Sequence, residues 1–204
     1  MCIRDRLDVE ALLRDASARL RAVGAPVHII DIAAGHGRYV LEAVAGMQNR
    51  PDSILLRDYS ALNAEHGTAL IHDKGLAEIA RFATGDAFDR ASLAAITPRP
   101  TLGVVSGLYE LTPDNTPVRQ SLGGLGDAIA PGGFLVYTGQ IWHPQLELIA
   151  RALTSHRRGE AWVMRRRTQE EMDQLVAAAG FRKLAQRIGE SGIFTVSLAQ
   201  RVAG

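Results

Sequence analysis

Four carboxylates and two glycines carry the chemistry legible in this 204-residue chain. Residues 27–38 read VHIIDIAAGHGR, an apolar β-type run that enters Asp31, passes two small residues, and brackets His36 between Gly35 and Gly37. Residues 39–45 then have helix-forming composition, so the order is strand, glycine-rich turn, helix. Glycines in such a turn let a ligand of nucleotide type lie against the backbone over the C-terminal end of a strand, where side chains would block it. A glycine after a strand also closes ordinary turns, so the loop alone leaves both readings open.

The next acids extend the pattern. Residues 53–58 (SILLRD) form a second buried strand ending in Asp58, about 20 residues past the glycines, where a second-strand acid reaches a ribose hydroxyl. Residues 84–88 (TGDAF) end a third apolar segment with Asp86, placed to accept a hydrogen bond from an adenine amino group. Residues 101–110 (TLGVVSGLYE) are an uncharged strand opening into Ser106 and Gly107, with Tyr109 and Glu110 at its end. Ligands of open α/β sheets bind at such strand ends.

The elements that must hold these residues in place follow from periodicity. Residues 8–23 put Leu12, Leu13, Ala16, Leu20 and Val23 on one helical face with arginines opposite, ended by Gly24 and Pro26. Residues 63–76 and 116–129 read as crossover helices, the second closed by Pro131, Gly132 and Gly133 before a strand at 134–138. Thr168 with Glu171 makes a capping box for a helix through Ala179, stopped by Gly180. Residues 181–188 and 193–199 flank a turn and read as an antiparallel hairpin. The fold class is therefore α/β: a Rossmann-like, doubly wound, mostly parallel sheet closed by a C-terminal antiparallel hairpin.

The order DIAAGHG, RD, GDAF, VVSGLYE, APGGFLVYTG resembles class I S-adenosylmethionine-dependent methyltransferases over nearly the whole chain. The resemblance implies S-adenosyl-L-methionine as cofactor, held by Asp31, Ala33, Gly35, His36, Gly37, Asp58, Tyr59, Asp86, Ala87, Ser106 and Gly107. A parallel sheet closed by an antiparallel hairpin is this family's variant of the doubly wound fold. A nicotinamide oxidoreductase is the runner-up, because GHGRYV has no third glycine at the helix-packing position. Residues 137–156 and 162–173 further resemble an uncharacterised bacterial methyltransferase group often found C-terminal to an α/β-hydrolase. That resemblance implies an upstream hydrolase domain as partner and leaves the methyl acceptor open.

Residues 140–167 are extra material between the fifth strand and the capped helix. They hold Gln140, Trp142, His143, a helix over 144–156, Trp162, Arg165, Arg166 and Arg167. They read either as a lid forming the acceptor pocket or as a surface insertion with a solvated charged face. If the three arginines are extended, Arg165 and Arg167 share one side and Arg166 faces the other. Their planar forks suit a carboxylate or phosphate, which points to a small or lipid-like anionic acceptor.

Methyl transfer from a sulfonium is an in-line displacement, in which positioning lowers much of the barrier. A base is needed only where the acceptor loses a proton, and His143, Tyr109 and Glu110 are placed for it, His143 first because free imidazole titrates near neutral pH. His143 could instead cap the helix after Pro144 or pack beside Trp142. His28 reads as core, and His66 and His72 are too far apart to share a helical face, so no metal is expected. Two further readings stay open: a non-catalytic S-adenosylmethionine-binding regulatory domain, and an RNA methyltransferase suggested by the three arginines alone. A net charge of +1 supplies no field for nucleic acid, which makes that partner unlikely.

At 47% hydrophobic and 22% charged, residues 7–204 can bury one core as a single domain. The only cysteine, Cys2, excludes an internal disulfide and a cysteine zinc cluster. With no apolar run near the ~20 residues of a membrane span and no signal-peptide pattern, the expected location is the cytoplasm. Residues 1–6 (MCIRDR) carry no periodicity and read as a non-native leader.

Overall fold

Apolar runs that alternate with helical segments pair in parallel, because a crossover helix returns the chain to the same sheet edge. In the computed structural model, which describes residues 3–154 and 161–202, five such runs do so: β1 (His28–Ile32), β2 (Ser53–Asp58), β3 (Ala80–Thr84), β4 (Leu102–Val105) and β5 (Phe134–Gln140). The sheet is completed by β6 (Phe181–Ile188) and β7 (Phe194–Arg201), in the order β3-β2-β1-β4-β5-β7-β6. β7 runs against both of its neighbours, so the hairpin is inserted with its second strand inward. The strand order reverses between β1 and β4, which makes the carboxyl ends of these two strands the switch point where ligands of open sheets lie.

Helices α1 (Ile3–Ala22), α2 (Arg38–Ala45) and α3 (Ala61–Asp73) cover one face, and α4 (Arg90–Ala94), α5 (Asn115–Ala128) and α7 (Gln169–Ala178) the other. Strand periodicity sorts the core accordingly: Val104 and Val136 pack with Leu13, Leu41 and Leu56, whereas Val105 and Tyr137 pack with Leu93, Leu122 and Val176. A short helix, α6 (Leu146–Ala152), lies in the insertion and buries none of its residues.

Several boundaries differ from those expected. α1 begins at Ile3, inside the hexapeptide set aside as a leader, and Arg6 reaches Glu42 Oε2 at 2.6 Å. Val23 falls beyond its end and is 78% exposed, because the chain turns at Gly24 with φ +69°. α3 starts two residues early, since Ser60 Oγ caps it by accepting the Asn63 amide at 3.3 Å. α4 has five residues, too few to show a helical period. The helix expected over 144–156 spans only Leu146–Ala152, and residues 155–160, including His156, lie outside the described residues. Half of the expected capping box forms: Thr168 Oγ1 accepts the Glu171 amide at 3.1 Å, but the Glu171 carboxylate turns to Asn115 and Arg165. Among the described residues, no helix is long and apolar enough to cross a membrane, and no three metal-ligating side chains converge.

Candidate active site

After β1 the backbone coils tightly. Ala33, Gly35 and Gly37 all have positive φ, at 52°, 56° and 69°. The two glycines are required for different reasons. A Cβ on Gly37 would collide with Leu56 Cδ1, so this glycine lets α2 seat on β2. A Cβ on Gly35 would meet nothing within 4 Å, because that side of the loop faces an open cleft. The loop is pinned from β2: the Gly35 amide donates to Asp58 Oδ2 at 3.0 Å, while Asp58 Oδ1 accepts from the Ser60 amide at 2.9 Å and Asn63 Nδ2 at 3.0 Å.

The cleft holds about 340 Å³ at the carboxyl ends of β1 to β4. Its walls include Ala33, Gly35, Asp58, Tyr59, Asp86, Ala87 and Gly107, seven of the residues expected to hold the cofactor. Four others lie elsewhere. Asp31 is 5% exposed within β1, where burial and then the charge of Asp58 push its carboxyl well above the usual range. His36 is exposed and sits edge-on to His66, ring centroids 5.0 Å apart. Gly37 is buried against Leu56, and Ser106 is half-buried beside the wall. Ser60, Asn63, Gly85, Phe88, Leu108 and Leu111 also line the cleft. Of these, Ser60 and Asn63 went unread, and the one signal that could have found them is the Ser60 N-cap position after Asp58.

The Asp86 loop is braced from below. Asp86 Oδ1 accepts the Phe88 amide at 2.8 Å, and Gly85 sits directly on the Arg57 guanidinium, which would clash with any Cβ there. Arg57 is 6% exposed and donates to Ser92 Oγ at 2.7 Å. Sequence reading passed over Arg57 because a strand residue adjacent to a site acid carries no signal of its own.

The three candidate bases separate. Tyr109 does not reach the cleft: it is 2% exposed with its phenol oxygen 3.0 Å from Ser121 Oγ, and burial raises its pKa further beyond the ordinary phenol range. His143 Nδ1 accepts the Gln145 amide at 3.1 Å, a local bond within the turn that leads into α6. An imidazole held that way carries its proton on Nε2 and presents a donor. Glu110 is 5% exposed and faces the cleft wall indirectly. Its Oε1 accepts Thr138 Oγ1 at 2.9 Å, and Thr138 Oγ1 accepts the Gly107 amide at 2.9 Å. Glu110 Oε2 is sealed without a partner, and burial raises the carboxyl.

The arginine run alternates as expected, but its paired members do not form an anion site. Arg167 is 5% exposed and donates to the carbonyls of Tyr109 and Thr112, both at 2.6 Å, and to Asn115 Oδ1 at 2.8 Å. Arg165 donates to the Pro113 carbonyl at 2.8 Å and to Glu171 Oε1 at 2.6 Å. The cause is the irregular backbone of residues 109–114: the Thr112 and Pro113 carbonyls lie outside any strand or helix and take side-chain donors, and the Tyr109 carbonyl takes Arg167 beside the Thr112 amide. Arg166 is exposed. In the rest of the insertion Trp142 is 47% exposed, Gln140 is 2% exposed with Oε1 unpartnered, and Trp162 is half-buried with Nε1 unpartnered.

With the geometry in place, similarity to known proteins becomes informative. Residues 2–201 match a family described as "Putative methyltransferase". "Uncharacterized protein YnbC" of Escherichia coli (strain K12) is 57% identical over 195 residues, 95% of this chain and 33% of that protein, so the chain spans about a third of this curated relative. The magnesium protoporphyrin IX methyltransferase (ChlM) of Synechocystis PCC 6803, solved with bound SAH, superposes with a TM-score of 0.71 at 13% identity, over 98% of this chain and 84% of that one. An S-adenosylmethionine-dependent methyltransferase from Clostridium acetobutylicum ATCC 824 superposes at 0.70 and 10% identity, over 99% and 93%. At these identities the two structures establish the fold.

Proposed function

The chain belongs to this methyltransferase family, and from that premise we propose that it transfers the methyl group of S-adenosylmethionine to a small or lipid-like acceptor placed beneath residues 140–167. The observation that carries the reading is the cleft: the loop after β1 keeps the Gly35 side open, and Asp58 and Asp86 bring carboxylates to the same space. These residues fit the cofactor. Asp58 would accept from the ribose hydroxyls, Asp86 from the adenine amino group, and the loop over 33–37 would lie along the methionine part. S-adenosylmethionine bound there supplies an electrophilic methyl carbon on a sulfonium. The chain's own contribution is to orient the acceptor and exclude water, with Glu110 the remaining candidate to take a proton.

The E. coli relative is about three times as long as the matched segment, which favours the natural setting implied by the resemblance, beside a hydrolase unit. One observation favours a second reading. Tyr109 and His143 are both committed to structural hydrogen bonds, as they would be in a domain that binds S-adenosylmethionine without turning it over.

A thermal-shift panel tests the cofactor. S-adenosylhomocysteine at a hundredfold over its Kd should raise the Tm by about 5 to 10 °C through mass action. A shift with NADH and none with S-adenosylhomocysteine would overturn the reading. A binder that moves no labelled methyl group to any component of a broad extract would favour the regulatory alternative.

A further inference from the structure

Buried polar atoms without partners are rare, because each forfeits its hydration with no return. Two of them are Glu110 Oε2, on the 3₁₀ turn Tyr109–Leu111 that follows β4, and Gln140 Oε1, on the last residue of the adjacent strand β5. Thr138 and Gln140 are two residues apart on β5 and therefore lie on one face of it. Thr138 donates to Glu110 Oε1, which brings the carboxyl to that same face, and receives the Gly107 amide from the wall of the cofactor cleft. A continuous relay thus runs from the cleft to Glu110 and stops at an oxygen with nothing to accept. Arg165 holds the same turn from outside, its amide donating to the Glu110 carbonyl at 2.8 Å.

The charge available around these atoms selects among methyl acceptors. Arg165 and Arg167 have committed guanidinium donors to the backbone of residues 109–114 and to Glu171. The charge of Arg167 still reaches Glu110, where it is already set against that carboxylate and is not left over for a second anion brought beside it. Gln140 can turn its amide to meet a donor or an acceptor, but an ionised Glu110 can only accept.

We propose, resting on the methyltransferase reading above, that Glu110 and Gln140 select an acceptor that presents N–H or O–H donors and carries no negative charge. Glu110 Oε2 receives the proton that this acceptor loses. In the balanced step, the nitrogen or oxygen lone pair forms the bond to the methyl carbon as the carbon–sulfur bond breaks. That bond's electron pair stays on sulfur, and the released proton passes to Oε2. A carboxyl raised by burial suits this role, since a base works best when its pKa approaches the working pH.

The test uses the full chain, S-adenosylmethionine labelled in its methyl group, and a small-molecule extract separated by ion exchange. The label should appear in cationic products if the acceptor is an amine, or in neutral products if it is a hydroxyl, and should survive alkali. Label in anionic products, or released by alkali as methanol from a methyl ester, would overturn the proposal. Glu110→Gln should lower kcat at least a hundredfold and abolish the acid limb of the pH profile, and a retained limb would count against it. A measurement independent of turnover is the melting of protein saturated with S-adenosylhomocysteine. Gln140→Met removes an acceptor with no partner and should raise the Tm by about 2 to 4 °C with cofactor affinity unchanged, whereas a fall would show that Gln140 is structural and overturn the proposal. If no label moves although S-adenosylhomocysteine binds, the methyltransferase reading fails, and the melting experiment still decides what Gln140 is for.

Discussion

The Gly35 amide donates to Asp58 Oδ2 at 3.0 Å, so the glycine loop after β1 is fastened to the acid at the end of β2. The same carboxylate holds the start of α3 through the Ser60 amide and Asn63. One side chain therefore sets the spacing between the loop and the helix that flank the cleft, and it does so from within the cleft wall. Cofactor affinity and loop order are consequently linked through Asp58.

Asp58→Ala should weaken S-adenosylhomocysteine about ten- to a hundredfold, the worth of charged hydrogen bonds to the ribose. It should also lower the Tm, because three protein hydrogen bonds go with the carboxylate. Calorimetry with unchanged affinity in a folded variant would remove Asp58 from the cofactor site.

The two loop glycines should fail differently. Gly37→Ala places a Cβ into Leu56 at φ +69° and should cost stability, roughly 2 kcal/mol or more, in denaturant unfolding. Gly35→Val has room within the protein, so its larger effect should be on S-adenosylhomocysteine affinity, with strain of about 1 kcal/mol at φ +56°. Equal stability losses with affinity preserved in Gly35→Val would mean that the open side of the loop is not a ligand face.

Local signals in the chain were read well where a short run determines its own structure. β2 spans residues 53–58 as expected, because an apolar run that ends in a carboxylate marks its own end, whereas the N-cap Ser60 that starts α3 at Ala61 was passed over. The acids at strand ends were legible for the same reason. What escaped was set by distant partners. Tyr109 and Glu110 are adjacent at the end of β4, and only the 3₁₀ turn Tyr109–Leu111 decides that Tyr109 enters the core while Glu110 meets Thr138. The alternation of Arg165, Arg166 and Arg167 followed from extended geometry, but the carbonyls that occupy Arg167 lie more than 50 residues away and have no sequence signature.

Those carbonyls yield a further prediction. Arg167→Ala leaves the Thr112 carbonyl without its buried donor and the Tyr109 carbonyl with the Thr112 amide alone, and should destabilise the protein by roughly 2 to 3 kcal/mol. Arg166→Ala changes an exposed side chain and should stay within about 0.5 kcal/mol. Urea unfolding of the two variants checks this. Equal midpoints would show that the guanidinium of Arg167 does not hold residues 109–114 in solution.

The last prediction concerns Asp31, buried in β1 two residues before the strained Ala33. Burial first, and the charge of Asp58 second, push its carboxyl well above the usual range. The unfolded chain ionises Asp31 at the ordinary value, while the folded chain keeps the proton to higher pH and so binds more protons in between. Stability from this group is therefore fully present below the ordinary carboxylate range and is lost as pH rises toward the folded value. Asn cannot ionise and fills nearly the same volume, so Asp31→Asn should be more stable than the wild type at neutral pH. The advantage should shrink as pH falls and vanish below about pH 4, where both states of the wild type are protonated. Taking the difference between the two proteins cancels the similar pH dependence from Glu110. Denaturant unfolding across this pH range measures the gap directly, and a gap that is constant with pH, or that widens in acid, would show that Asp31 is not a strained carboxyl beneath the cleft.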